Sequence, residues 1–96
     1  MTESEIQKDI IAFLKTCGFI VYRMNSGAVR HNVKMCDPGT PDLMVISPYG
    51  NVLWIEVKTE TGKLSMVQLE MHARLRSCDQ AVIVARSVED VKEIII

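Results

Sequence analysis

The residues whose types and spacing could do chemistry are Asp42 and the triplet Glu56-Val57-Lys58. Alternate residues of an extended strand share a face. Glu56 and Lys58 therefore project together, and Val57 turns to the opposite face. They end an apolar run, Val52-Leu53-Trp54-Ile55, in which a carboxylate beside an ammonium needs an explanation. Asp42 opens the preceding strand of the same hairpin and can reach the same end of the sheet. Two carboxylates converging beside a lysine would hold a hard divalent cation through oxygen. Such a set suits phosphodiester hydrolysis. The cation polarises a phosphoryl oxygen and acidifies bound water, while the lysine orients or deprotonates that water and stabilises developing negative charge. An isolated Glu-x-Lys pair more often reflects a surface ion pair on an edge strand.

The elements that must position these residues follow from periodicity. Ile6, Ile10, Phe13, Leu14 and Cys17 form one apolar stripe at helical spacing, which predicts a helix from about Glu3 to Thr16. Thr2 and Glu5 have the capping-box spacing and Gly18 is placed to end the helix. Phe19 to Met24 reads as a strand and Asn25 to Thr40 as a long loop. Strands at Asp42 to Ser47 and Val52 to Lys58 flank the turn-forming Ser47-Pro48-Tyr49-Gly50-Asn51 and should pair antiparallel. Thr59 to Lys63 is a loop. A second helix starts at Ser65, with Gln68 at its capping-box position, and runs to about Ser77. Ala81 to Ala85 is a fourth strand, and Ser87 caps a short helix through Lys92. The order α-β-β-β-α-β-(α) predicts an α/β fold, a mixed sheet flanked by helices.

With 96 residues, the chain should be a single domain, 1–96, with little room for an accessory module. The net charge of −1 excludes a strongly basic coat. Yet no Asp or Glu occurs between Ile10 and Cys36, where Lys15, Arg23, Arg30, His31 and Lys34 lie. A basic surface beside an acidic site fits a polyanionic substrate; a chance fluctuation on a solvated surface accounts for it equally well. The three cysteines are widely spaced, with no CxxC pair, which speaks against disulfides or zinc and for a reducing compartment. Cys17 and Cys78, at apolar-periodic positions, are expected in the core. The polar, acidic start of the sequence is unlike a signal peptide, and no apolar run approaches the roughly 20 residues that span a membrane.

The wider pattern resembles the PD-(D/E)xK nuclease superfamily, and more closely its stand-alone VRR-NUC domains. The resemblance is carried by Gly39-Thr40-Pro41-Asp42-Leu43, Ile55-Glu56-Val57-Lys58-Thr59, and Gly62-Lys63-Leu64-Ser65 with Gln68. Glu3-x-x-Ile6-Gln7 and Tyr22-Arg23-Met24-Asn25-Ser26-Gly27 are similar too. It implies a restriction-endonuclease-like core. Asp42 and Glu56 would be ligands to Mg²⁺ or Mn²⁺, with the Val57 carbonyl as a third, and Lys58 the catalytic lysine. Gln68 would lie near the site from the second helix, compatibly with its cap. His72 stands where related nucleases often carry an aromatic residue, and packing or a phosphate contact is expected of it.

Related nucleases often supply a glutamate from the first helix, and Glu3, Glu5 and Gln7 compete for that place. At 100° per residue Glu3 and Gln7 flank the apolar stripe, whereas Glu5 points away and has its capping role. Gln7 is therefore expected in the catalytic set and Glu3 beside the metal. Arg23, Arg30, His31, Lys34 and Lys63 are candidate substrate contacts; a solvated loop would explain Arg30, His31 and Lys34 as well.

The resemblance implies a metal-dependent DNA endonuclease on branched substrates such as Holliday junctions, working as a homodimer in a bacterial or phage-infected cytoplasm. The apolar end Ile94-Ile95-Ile96 suits a dimer or packing on the protomer's own sheet. Flaps, duplex ends or RNA are alternative substrates, and an inactive DNA-binding module on the same fold is the alternative of another class.

Overall fold

The structure is a computed structural model, which describes residues 1–24 and 36–95. Helix α1 (Glu3–Thr16) begins in a complete capping box: the Glu5 amide donates to Thr2 Oγ1 at 3.2 Å and the Thr2 amide donates to Glu5 Oε1 at 3.1 Å. Two of the four orphan amides of the helix start are thereby satisfied. Ile6, Ile10 and Leu14, one turn apart, are its buried residues. The helix stops at Cys17 and Gly18, where Gly18 takes φ +84°, a conformation open to a residue with no Cβ.

Four strands follow: β1 (Ile20–Arg23), β2 (Leu43–Ile46), β3 (Val52–Val57) and β4 (Ala81–Ala85). They lie in the order β1-β2-β3-β4. The first two pairings are antiparallel, and β3 pairs with β4 in parallel through the crossover helix α2 (Met66–Ser77). Helix α3 (Val88–Ile95) closes the chain. It extends past the expected end at Lys92, because Val91 is buried in the core and Ile95 packs against it.

The sheet separates two layers. On one face Leu43 and Val45 of β2, Ile55 and Val57 of β3 and Ala85 of β4 meet the apolar stripe of α1 and Val91 of α3. On the other face α2 lies against the β4 side, and Arg76 donates to the Val82 carbonyl at 3.0 Å. Tyr22, Met44 and Trp54 stand in register toward this second face. Tyr22 remains 51% exposed there.

Cys17 and Cys78 are not core residues; both are exposed. Each is the C-cap of its helix, so the helical periodicity that placed it inward has already ended at that position. No helix of the described residues is long and apolar enough to cross a membrane.

Candidate active site

The β2–β3 hairpin brings Asp42 and Glu56 to one end of the sheet. Asp42 precedes β2, and Leu43 pairs with Ile55. The register therefore sets Asp42 opposite Glu56. A short hydrogen bond ties the two strand ends together: Asp42 Oδ2 accepts from the Val57 amide at 2.7 Å. The Asp42 carbonyl in turn accepts from the Met24 amide at 2.8 Å, which ties the end of β1 to the same point. The Lys58 amide donates to the Ala85 carbonyl at 3.0 Å, extending the parallel ladder one residue beyond β3.

Glu56 is not part of a surface ion pair. β3 is an interior strand, and Glu56 is only 2% exposed. Burial, above all, pushes its carboxyl up to about 9. The hydrogen bond and charge of Asp42 add to this, as does the charge of Glu3, while Lys58 works in the opposite direction. In the metal-free protein Glu56 therefore carries a proton at neutral pH, in hydrogen-bond contact with Asp42.

The first turns of α1 form the opposite wall. Glu3, Ser4, Gln7, Asp42 and Val57 line a cavity of about 180 Å³. Glu3 and Gln7 thus come to the carboxylate end of the sheet, as the helical spacing predicts. Glu5 stays in its cap. A larger hollow of about 470 Å³ lies at the other end of the sheet between Phe13, Phe19, Pro48, Tyr49 and Ile95. It is apolar and distant from these carboxylates.

Two supports were not evident from the sequence. Arg86, one residue past β4, donates from Nη1 to the carbonyls of Thr59 and Gly62, both at 2.7 Å. It pins the loop that follows Lys58, and Lys58 Cδ rests 3.5 Å from where a Cβ on Gly62 would be. Gly39, at φ +84°, brings the loop carrying Asp42 against the first turn of α2; a Cβ there would lie 2.3 Å from the Val67 carbonyl oxygen.

Among the described residues no three His, Cys, Asp or Glu side chains converge into a metal cluster. Asp42 and Glu56 nonetheless make an all-oxygen pair, with the Val57 amide hydrogen-bonded to Asp42. A small hard cation that keeps most of its water is held by one or two carboxylates. The donor set fits such an ion, whose binding would displace the proton from Glu56.

The VRR-NUC domain model matches residues 25–89 of the chain, more than half its length. The chain belongs to the VRR-NUC family. Among its relatives is "Putative nuclease p44" of Acyrthosiphon pisum secondary endosymbiont phage 1, 32% identical over 85 residues, covering 88% of this chain and 83% of the phage protein. A solved structure described as a VRR_NUC domain superposes with a TM-score of 0.78 at 29% identity, over 99% of this chain and 96% of that one. The comparisons support nuclease activity and the α-β-β-β-α-β-α architecture.

Within this VRR-NUC fold the other expected residues divide. Gln68 is half-buried, and its Oε1 accepts from the Ser65 amide at 2.9 Å, so its capping role is realised. Arg23 ends β1 opposite Leu43, next to Asp42, and Lys63 is exposed in the loop held by Arg86. Arg30, His31 and Lys34 lie outside the described residues. His72 is packed, one of the two roles expected of it: it is 1% exposed, with Nε2 3.1 Å from Glu56 Oε1. Burial and then the Arg76 charge lower its pKa.

Proposed function

We propose that residues 1–96 form a single VRR-NUC domain that hydrolyses DNA phosphodiester bonds with Mg²⁺ or Mn²⁺. The observation that carries this reading is the pairing of Asp42 with buried Glu56 at the end of two bonded strands, beside Lys58. Asp42, Glu56 and the Val57 carbonyl would hold the cation, which when bound would supply charge to the scissile phosphate and acidify water. Lys58 orients the attacking water and stabilises negative charge on the phosphoryl oxygens. Gln7 hydrogen-bonds the water from the opposite wall, and Glu3 adds negative charge near the cation. Gln68 borders the site from α2. Arg23 and Lys63 contact flanking phosphates, with Arg30 and Lys34 extending that contact along the chain.

The substrate is branched DNA, such as a Holliday junction, and the working form is a homodimer. This follows the resemblance to stand-alone VRR-NUC domains. A domain this small presents one site, whereas resolving a junction takes two cuts. Exposed Ile20, Tyr22 and Ile94 offer apolar surface for a second copy.

The test is incubation with Mg²⁺ or Mn²⁺ and labelled four-way junction, flap and duplex, beside a Lys58→Ala control. Paired symmetric cuts on the junction, absent in the control, are expected. Absence of metal- and Lys58-dependent cleavage of every substrate overturns the enzyme reading. Cleavage of flaps, ends or RNA in preference to junctions overturns only the substrate.

A further inference from the structure

We infer that His72 is a positioning residue for Glu56: its Nε2–H donates to Glu56 Oε1 and so fixes how the carboxyl group faces Asp42. This rests on the reading of Asp42 and Glu56 as the cation-holding pair.

The composition of the α2–sheet contact leads to it. A helix packed on a sheet ordinarily buries an apolar stripe. The one buried residue of α2 is His72, and its partner across the contact, Glu56, is the other buried polar side chain of the described residues. Histidine is a poor choice as filler. Its Nδ1 is buried without a hydrogen-bond partner among the described residues, which is destabilising. A leucine or phenylalanine would avoid that cost. What the imidazole supplies is the donor aimed at Oε1.

Glu56 needs that donor for a definite purpose. A glutamate reaches further than Asp42 and has one more rotatable bond, so its direction is less determined by the strand. When it holds a cation it is ionised and can only accept hydrogen bonds. Its oxygen away from the cation then sits in a dry contact with α2, where an unpaired anionic oxygen is costly. His72 fills that need from a rigid helix whose first turn is itself seated against Gly39 in the Asp42 loop. Partners of ligating carboxylates commonly govern affinity in this way.

Two variants of the full chain test the inference through Mn²⁺ binding measured by calorimetry. His72→Phe removes the donor while keeping a ring, and His72→Gln places an amide N–H near the position of Nε2. His72→Phe is expected to weaken Mn²⁺ binding by about 10-fold or more, with His72→Gln recovering most of the affinity. Wild-type affinity in His72→Phe overturns the inference, and so does a His72→Gln variant as weak as His72→Phe. A wild-type chain that binds no Mn²⁺ overturns the metal-nuclease reading, and this inference with it. If His72→Phe does not fold, ¹⁵N spectra of a His31→Gln background with saturating Mg²⁺ decide. The Nε2–H tautomer of His72 is expected, and the Nδ1–H tautomer overturns the assignment.

Discussion

Asp42 Oδ2 and the Val57 amide are joined by a 2.7 Å hydrogen bond that crosses from the start of β2 to the end of β3. This bond gives one carboxylate two duties, since it orders the strand end that carries Glu56 and Lys58 while facing Glu56 itself. The duties separate by mutation. Asn in place of Asp42 keeps an acceptor for the Val57 amide and removes the charge. Asp42→Asn should melt close to wild type in EDTA yet lose on the order of 100-fold or more in cleavage rate, a scale typical of lost electrostatic stabilisation. Asp42→Ala should in addition lose about 1–3 kcal/mol, since a buried amide is left unsatisfied. Thermal melts in EDTA beside initial rates in Mg²⁺ distinguish the two.

The raised pKa of Glu56 sets the pH response of the metal-free protein. Its folded value of about 9 lies above the ordinary 4.5. The folded state therefore binds this proton more tightly than the unfolded state does. The associated stability is fully present below about 4.5 and is lost as pH rises through about 9. Melting temperature in EDTA should fall across this range, and Glu56→Gln should flatten the slope and be more stable than wild type near pH 8 by at least about 1 kcal/mol. Because a cation must displace the proton, Mn²⁺ binding should release protons and tighten with pH. Calorimetry in buffers of different ionisation heats reads that release. A wild-type melt that is flat with pH in EDTA would refute the assignment.

Arg86 acts at a distance from the reacting atoms. Removing its guanidinium frees the Thr59 and Gly62 carbonyls and lets the segment after Lys58 move. Arg86→Met should raise amide hydrogen exchange selectively over residues 59–63 and lower kcat on the order of 10-fold, because misplacing a positioned group is costly. Unchanged exchange in that loop would show that the staple is not what holds it.

Gly39 is constrained twice, by its positive φ and by the Val67 carbonyl oxygen. Gly39→Ala must push α2 from the Asp42 loop or change the backbone. A loss of roughly 2 kcal/mol or more is expected, as backbone strain and steric overlap act together. Denaturant unfolding measures it, and a neutral substitution would contradict the close approach.

Much of this architecture was legible in the sequence because local signals agreed. The α1 stripe and both capping boxes mark helix starts through side-chain chemistry that needs no tertiary information. The β2–β3 hairpin is announced by its turn residues, and the period of two puts Glu56 and Val57 on opposite faces, as found. The depth of Glu56 was not legible, because it depends on β4 pairing in parallel from a distant segment. The same applies to Arg86 and to His72, whose partners are 24 and 16 residues away in sequence. A histidine amid the weakly patterned α2 offered the only hint. Cys17 and Cys78 misled because an apolar period carries no mark of where the helix ends.

The Ser47–Asn51 turn stands one hairpin length from the carboxylates. Tyr49 is exposed there, and nothing lies within 4 Å of where a Gly50 Cβ would be. The molecule therefore offers a handle opposite its working edge. A tether or label attached at this turn would immobilise the protein with Asp42, Glu56 and Lys58 facing outward. New chain ends opened between Tyr49 and Gly50 would let the two carboxylates be supplied by separately made halves of the chain.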